Sequence, residues 1–161
     1  MTKFLLSVHV LAAILAVGSI TVAASMFPRY ALRALGAAGS GDADRSPGIA
    51  ALLHRICRAY AVAGLAVPVF GIATAARLGV LTDAWLIASL LLTTAAAALL
   101  ALAVLPGQRR LLALADDGSG AAPPGARPAA ARLAMLTGVF NLLWATVTVL
   151  MIVRPGSTTG A

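Results

Sequence analysis

The sequence predicts an all-α protein, a four-helix transmembrane bundle with both termini outside. Three observations carry this. The 161 residues are 61% hydrophobic and only 11% charged, with a mean hydropathy of +0.97, whereas a soluble domain carries about 25% charged residues. Four apolar runs, at about 4–26, 59–76, 84–105 and 133–153, approach or exceed the ~20 residues a helix needs to cross a bilayer. The charged residues fall between those runs. The chain reads as a single membrane domain, 1–161, with flexible cytoplasmic loops at about 37–48 and 115–130.

The first run, Phe4 to Met26, holds no formal charge and one ionisable side chain, His9. Lys3, the apolar core and Val22-Ala23-Ala24 also fit a cleavable signal, but the run exceeds the usual ~7–15 residues of such a core. Arg29 and Arg33 follow closely and hold its C-terminal end in the cytoplasm, where a secretory signal needs that end translocated. Helix is expected to continue from Ala31 to Gly36, and the Gly/Ser/Asp-rich stretch 39–47 reads as a loop. Arg55 and Arg58 mark the membrane boundary before the second span. Gly79, Thr82 and Asp83 form a turn short enough to make spans two and three an antiparallel hairpin. Trp85 is placed to anchor the third span at the interface, and Pro106-Gly107 is expected to end it. The fourth span closes at Arg154-Pro155-Gly156.

Orientation follows from the arginines. Nine basic residues lie in the first and third connections, against three in the second connection and at the termini. That asymmetry places the first and third connections inside. It also accounts for the net charge of +7 without a nucleic-acid partner. The single cysteine, Cys57, rules out an intrachain disulfide. Arginine supplies all but one of the basic residues and alanine is abundant, a coding bias that points to a bacterial source and so to the bacterial cytoplasmic membrane.

Two faces stand out. His54, Cys57, Ala61, Gly64, Pro68, Gly71 and Ala75 recur at steps of three and four, one stripe of small residues that lets helices approach closely in lipid. Pro68 removes a donor and frees the Gly64 carbonyl, so a kink is expected there, the carbonyl buried or met by a polar group. Thr137, Asn141, Trp144 and Thr148 form a polar stripe on span four, read mainly as interhelical hydrogen bonding, with Trp144 facing the bundle.

His9 is the principal candidate for chemistry. An ionisable residue in a span is costly and usually faces the bundle interior. It serves either as a packing hydrogen bond, for which Thr148 is the expected partner, or as a haem axial ligand or proton-transfer group. His54 lies at the opposite membrane face, so one haem cannot take both imidazoles. His54 and Cys57 with Met26 would suit Cu(I), but a surface histidine and a packed cysteine are the preferred reading, and no metal is assigned. All five acidic residues lie in connections, which leaves acid–base enzymology within the membrane little to work with.

The start Phe4-Leu5-Leu6-Ser7-Val8-His9-Val10-Leu11 with Gly18, and the ending Asn141-Leu142-Leu143-Trp144 to Met151-Ile152-Val153-Arg154-Pro155-Gly156, resemble the DUF2269 family of small bacterial integral membrane proteins. More distantly, His9 in an early span is similar to CopD-like proteins and HemJ-type protoporphyrinogen oxidases, and Pro28-Arg29 after it resembles the HemJ type. The HemJ likeness implies haem b on His9. The expected function is a non-enzymatic structural or interaction bundle, with the bilayer, a further copy or a membrane protein as partner and a lipid or quinone in its interior. The alternative is a haem-binding oxidoreductase using His9. A channel or carrier ranks third, because four spans with one buried histidine offer little pathway.

Overall fold

Each apolar run becomes part of a longer helical rod. In the computed structural model, residues 2–36, 46–116 and 123–156 are described. Helix α1 spans Thr2–Ala34, α2 Ser46–Ala63, α3 Ala66–Leu78, α4 Ala84–Leu99, α5 Leu105–Asp116 and α6 Ala126–Val153. Helices α2 and α3 form a second rod, Ser46–Leu78, and α4 and α5 a third, Ala84–Asp116, joined by one π-helical turn at Leu100–Val104. Three rods of 33 residues and one of 28 are each long and apolar enough to cross a membrane, and they make this a four-helix, multi-pass membrane bundle.

A rod of 33 residues is about 50 Å long at ~1.5 Å per residue, against a hydrocarbon core of ~30 Å. The excess lies almost entirely at one end. Helix extends past the apolar runs over 27–34, 46–58, 106–116 and 126–132, all at the end opposite the termini. The connections are therefore shorter than the sequence suggests. Helix begins at Ser46, inside the loop expected at 37–48, and runs to Asp116 and again from Ala126, inside the loop expected at 115–130. Residues 37–45 and 117–122 of those loops lie outside the described residues. Eight arginines, among them Arg29, Arg55, Arg58, Arg109 and Arg132, ride on helical extensions rather than on loops.

Two prolines are absorbed. Pro28 sits inside α1 without ending it, and Pro106-Gly107 does not stop the third rod. The reason lies just upstream of Pro106. In the π turn the Leu105 N–H reaches back five residues to the Leu100 carbonyl. Such a widened turn relieves the clash a proline ring makes with the carbonyl four residues before it. Gly107 then receives the Leu133 side chain, whose Cδ1 lies 3.1 Å from where a Cβ would stand. The Gly79 turn is tight: φ is +71°, and the N–H groups of Gly79 and Val80 return to the carbonyls of Ala76 and Ala75. This left-handed cap suits glycine.

The main core sits toward the arginine-bearing end. Ile20, Ala24, Phe27 and Ala31 of α1 meet Ala50, Leu53 and Cys57 of α2, Val104 and Leu111 of the third rod, and Ala130, Leu133 and Phe140 of α6. A second, smaller cluster, Ala75, Trp85 and Leu86, closes the other end beside the turn. Trp85 is 7% exposed and packs inward at this end of the bundle. Between the clusters α3 packs on α1 and α4 on α6. The second and third rods, joined at the turn and in contact again at α2 and α5, bow apart in between.

Candidate functional site

The gap where the rods bow apart is a cavity of about 910 Å³, within the ~300–1,000 Å³ typical of ligand sites. Its wall is mostly aliphatic: Leu6, Val10, Ala13 and Ile14 of α1 face Leu86 and Leu90 of α4. Pro68 and Gly71 line it from α3, and Trp144 and Thr148 from α6. Val10 and Ile14 are exposed, so the cavity opens sideways through the bundle wall. Arg154 stands at its end nearest the termini.

His9 lies in this cavity, where its ring is fixed by the small-residue stripe. Nδ1 is 2.8 Å from the Val67 carbonyl. A carbonyl only accepts, so Nδ1 carries a proton, and in the neutral ring Nε2 is then the nitrogen with the lone pair. Among the described residues Nε2 has no hydrogen-bond partner. Gly71 makes the seat, for a Cβ there would stand 2.9 Å from His9 Cε1 and 3.1 Å from Nδ1. The stripe thus turns toward α1, with Ala75 buried and Ala61, Gly64, Pro68 and Gly71 half-buried. The break falls at Gly64-Leu65, before Pro68. The Gly64 carbonyl accepts the Val67 N–H at 3.0 Å, so the carbonyl that meets a polar group from another helix is that of Val67.

His9 and Thr148 both line the cavity but are not bonded to each other: Thr148 Oγ1 donates to the Trp144 carbonyl at 2.9 Å. Thr137 is buried and likewise bonds its own helix, to the Leu133 carbonyl at 3.0 Å. A hydroxyl that donates to the preceding turn has no proton left to give a neighbour. Of the polar stripe only Asn141 reaches another helix, donating from Nδ2 to Ser25 Oγ at 3.5 Å. Asn141 Oδ1 and Trp144 Nε1 are buried without a partner. Trp144 packs edge-on against Phe140, the rings 6.3 Å apart.

His54 is buried, contrary to its reading as a surface histidine. Its Nδ1 donates to Gln108 Oε1 at 2.8 Å, and Gln108 Nε2 donates to Cys57 Sγ at 3.5 Å. Gln108 is fully buried. No sequence signal marked this glutamine, because it follows the Pro-Gly pair expected to end the helix. Met26 is exposed and takes no part, so the trio considered for Cu(I) does not assemble. Among the described residues no group of three or more His, Cys, Asp or Glu side chains comes together.

No family model, curated protein or solved structure matches the chain.

Proposed function

We propose that this bundle holds an apolar, membrane-borne ligand in its lateral cavity, as a non-enzymatic binding or interaction subunit. The cavity carries the proposal: it is about 910 Å³ and aliphatic, and it opens sideways toward lipid. Buried polar atoms are few, as a site selecting for apolar bulk requires. We place both termini outside, the arginine-bearing helical ends in the cytoplasm of a bacterial cell, and the chain within the DUF2269 family that its two ends resemble. Purification in mild detergent followed by mass spectrometry of the extracted small molecules tests the reading. A bilayer-derived molecule retained at about one per chain supports it, and a protein stripped clean of lipid overturns it.

One observation favours a second reading, a haem-binding oxidoreductase. A histidine whose Nδ1–H is held by a backbone carbonyl while Nε2 is bare is oriented as metal-ligating histidines are. His9 would hold the iron of haem b, and Met151 is a further donor in the cavity wall. Bound there, the haem would supply one-electron chemistry, and the apolar wall would exclude water. An absorption spectrum of the purified protein separates the readings: a Soret band lost in His9→Ala supports haem, and a colourless preparation from haem-replete cells removes it.

A further inference from the structure

We infer that the cavity ligand is an anionic phospholipid from the leaflet on the side of the termini, with its headgroup on Arg154 and an acyl chain in the cavity. This rests on the ligand-holding reading above and names the ligand's class and orientation. The cavity runs from Leu6 to Gly18 along α1, about 18 Å at ~1.5 Å per residue, and from Trp144 to Arg154 along α6, about 15 Å. One leaflet of a ~30 Å hydrocarbon core is about 15 Å deep. The cavity therefore matches a chain that enters at one surface and stops near the midplane.

Its mouth carries a positive charge, Arg154, held in place by its own helix end and by Trp85. Arg154 is the one non-glycine among the described residues with positive φ, at +45°. Residues other than glycine and asparagine avoid this region, so this helix end is held in a strained backbone conformation. Three contacts hold it: the backbone N–H on the Leu150 carbonyl at 3.0 Å, Nε on the Met151 carbonyl at 3.3 Å, and the guanidinium over the Trp85 ring, 5.6 Å from its centroid. The two terminal nitrogens have no hydrogen-bond partner among the described residues. Among the described residues no acidic side chain lines the cavity. The nearby Asp83 carboxylate accepts the Trp85 indole N–H at 3.0 Å. A guanidinium with its terminal fork free, at the end of an apolar slot, fits a phosphate in two-point contact. The lateral opening supplies that phosphate with its acyl chains from the bilayer itself.

Both tryptophans report on the site, since Trp144 lines the cavity and Trp85 lies under Arg154. The full chain is reconstituted in phosphatidylcholine vesicles containing either phosphatidylglycerol or phosphatidylcholine brominated on the acyl chains, and fluorescence quenching is followed against mole fraction. Brominated phosphatidylglycerol should reach half-maximal quenching at a mole fraction at least threefold lower. Arg154→Gln should bring that ratio to about one. Arg154→Lys should keep part of it, and Lys3→Gln, at the same membrane surface, should keep it all. If Arg154→Gln does not reconstitute, the wild-type ratio must fall toward one as salt is raised. A wild-type ratio of one, a salt-insensitive ratio, a ratio unchanged by Arg154→Gln, or equal losses in Lys3→Gln and Arg154→Gln would overturn the assignment. Equal and strong quenching by both lipids removes the headgroup role and leaves the cavity reading. Absence of quenching by either lipid removes both.

Discussion

His9 and Val67 share a hydrogen bond, Nδ1–H to carbonyl at 2.8 Å, that ties the first rod to the second just beyond its break. A backbone carbonyl has two lone pairs, so it can accept an imidazole as well as its own helical donor. In lipid, where no water competes, each backbone polar group must find a partner.

Substituting Gly71 should disturb this contact first. A Cβ would stand 2.9 Å from the His9 ring, so Gly71→Ala must push the imidazole off Val67. Overpacking of this kind costs about 1–3 kcal/mol, and Gly71→Leu should cost more. Val62 is 68% exposed, and Val62→Leu should leave the melting temperature in detergent unchanged. Equal melting temperatures for all three variants would show that α1 does not pack on this stripe.

The His54–Gln108–Cys57 chain should behave as a unit. Gln108→Leu leaves the buried His54 donor without a partner, which costs about 1–3 kcal/mol. The double variant with His54→Leu removes both polar groups and should be more stable than Gln108→Leu alone. Thermal melts of the three variants form the cycle, and simple additivity would mean the two side chains are not coupled.

Trp144 invites the opposite expectation. Its Nε1 is buried without a partner, so Trp144→Phe keeps a ring against Phe140 and discards an unpaid donor. Stability should rise or stay within about 0.5 kcal/mol. A loss above about 2 kcal/mol would reveal a water or ligand atom paired with the indole.

Orientation is open to labelling in a Cys57→Ala background. Thr82→Cys, in the turn at the end of the bundle that carries the termini, should react with an impermeant thiol reagent on intact cells. Pro124→Cys should react only after permeabilisation. The reverse pattern would invert the topology derived from the arginines.

What the sequence made legible was whatever depends on period and polarity. The four apolar runs each lie within one helical rod, and the stripe through Gly64 and Gly71 turns toward α1, because lipid leaves composition and close approach as the main determinants. What it hid depends on bonds between distant residues. Pro106-Gly107 read as a stop because a proline's cost is judged against an ordinary α turn, not a widened one. Gln108 was invisible for the same reason. Thr148 looked like a partner for His9, but a threonine can satisfy its hydroxyl on its own helix, and period alone cannot distinguish the two. The cavity depends on two rods bowing apart, which no local pattern encodes.

The π turn at Leu100–Val104 has a consequence for the gene as well as for the helix. A widened turn is equivalent to one extra residue spliced into an α-helix, and each residue turns a helix by about 100°. Deleting one codon there, that of the 79% exposed Leu102, should close the turn to an ordinary α turn and leave the downstream segment facing as before, with Gln108 toward His54 and Leu111 in the core. An ordinary α turn that kept every residue would instead rotate that segment by about 100° and swing both away. The facing of half a rod thus rests on where one surplus residue is absorbed.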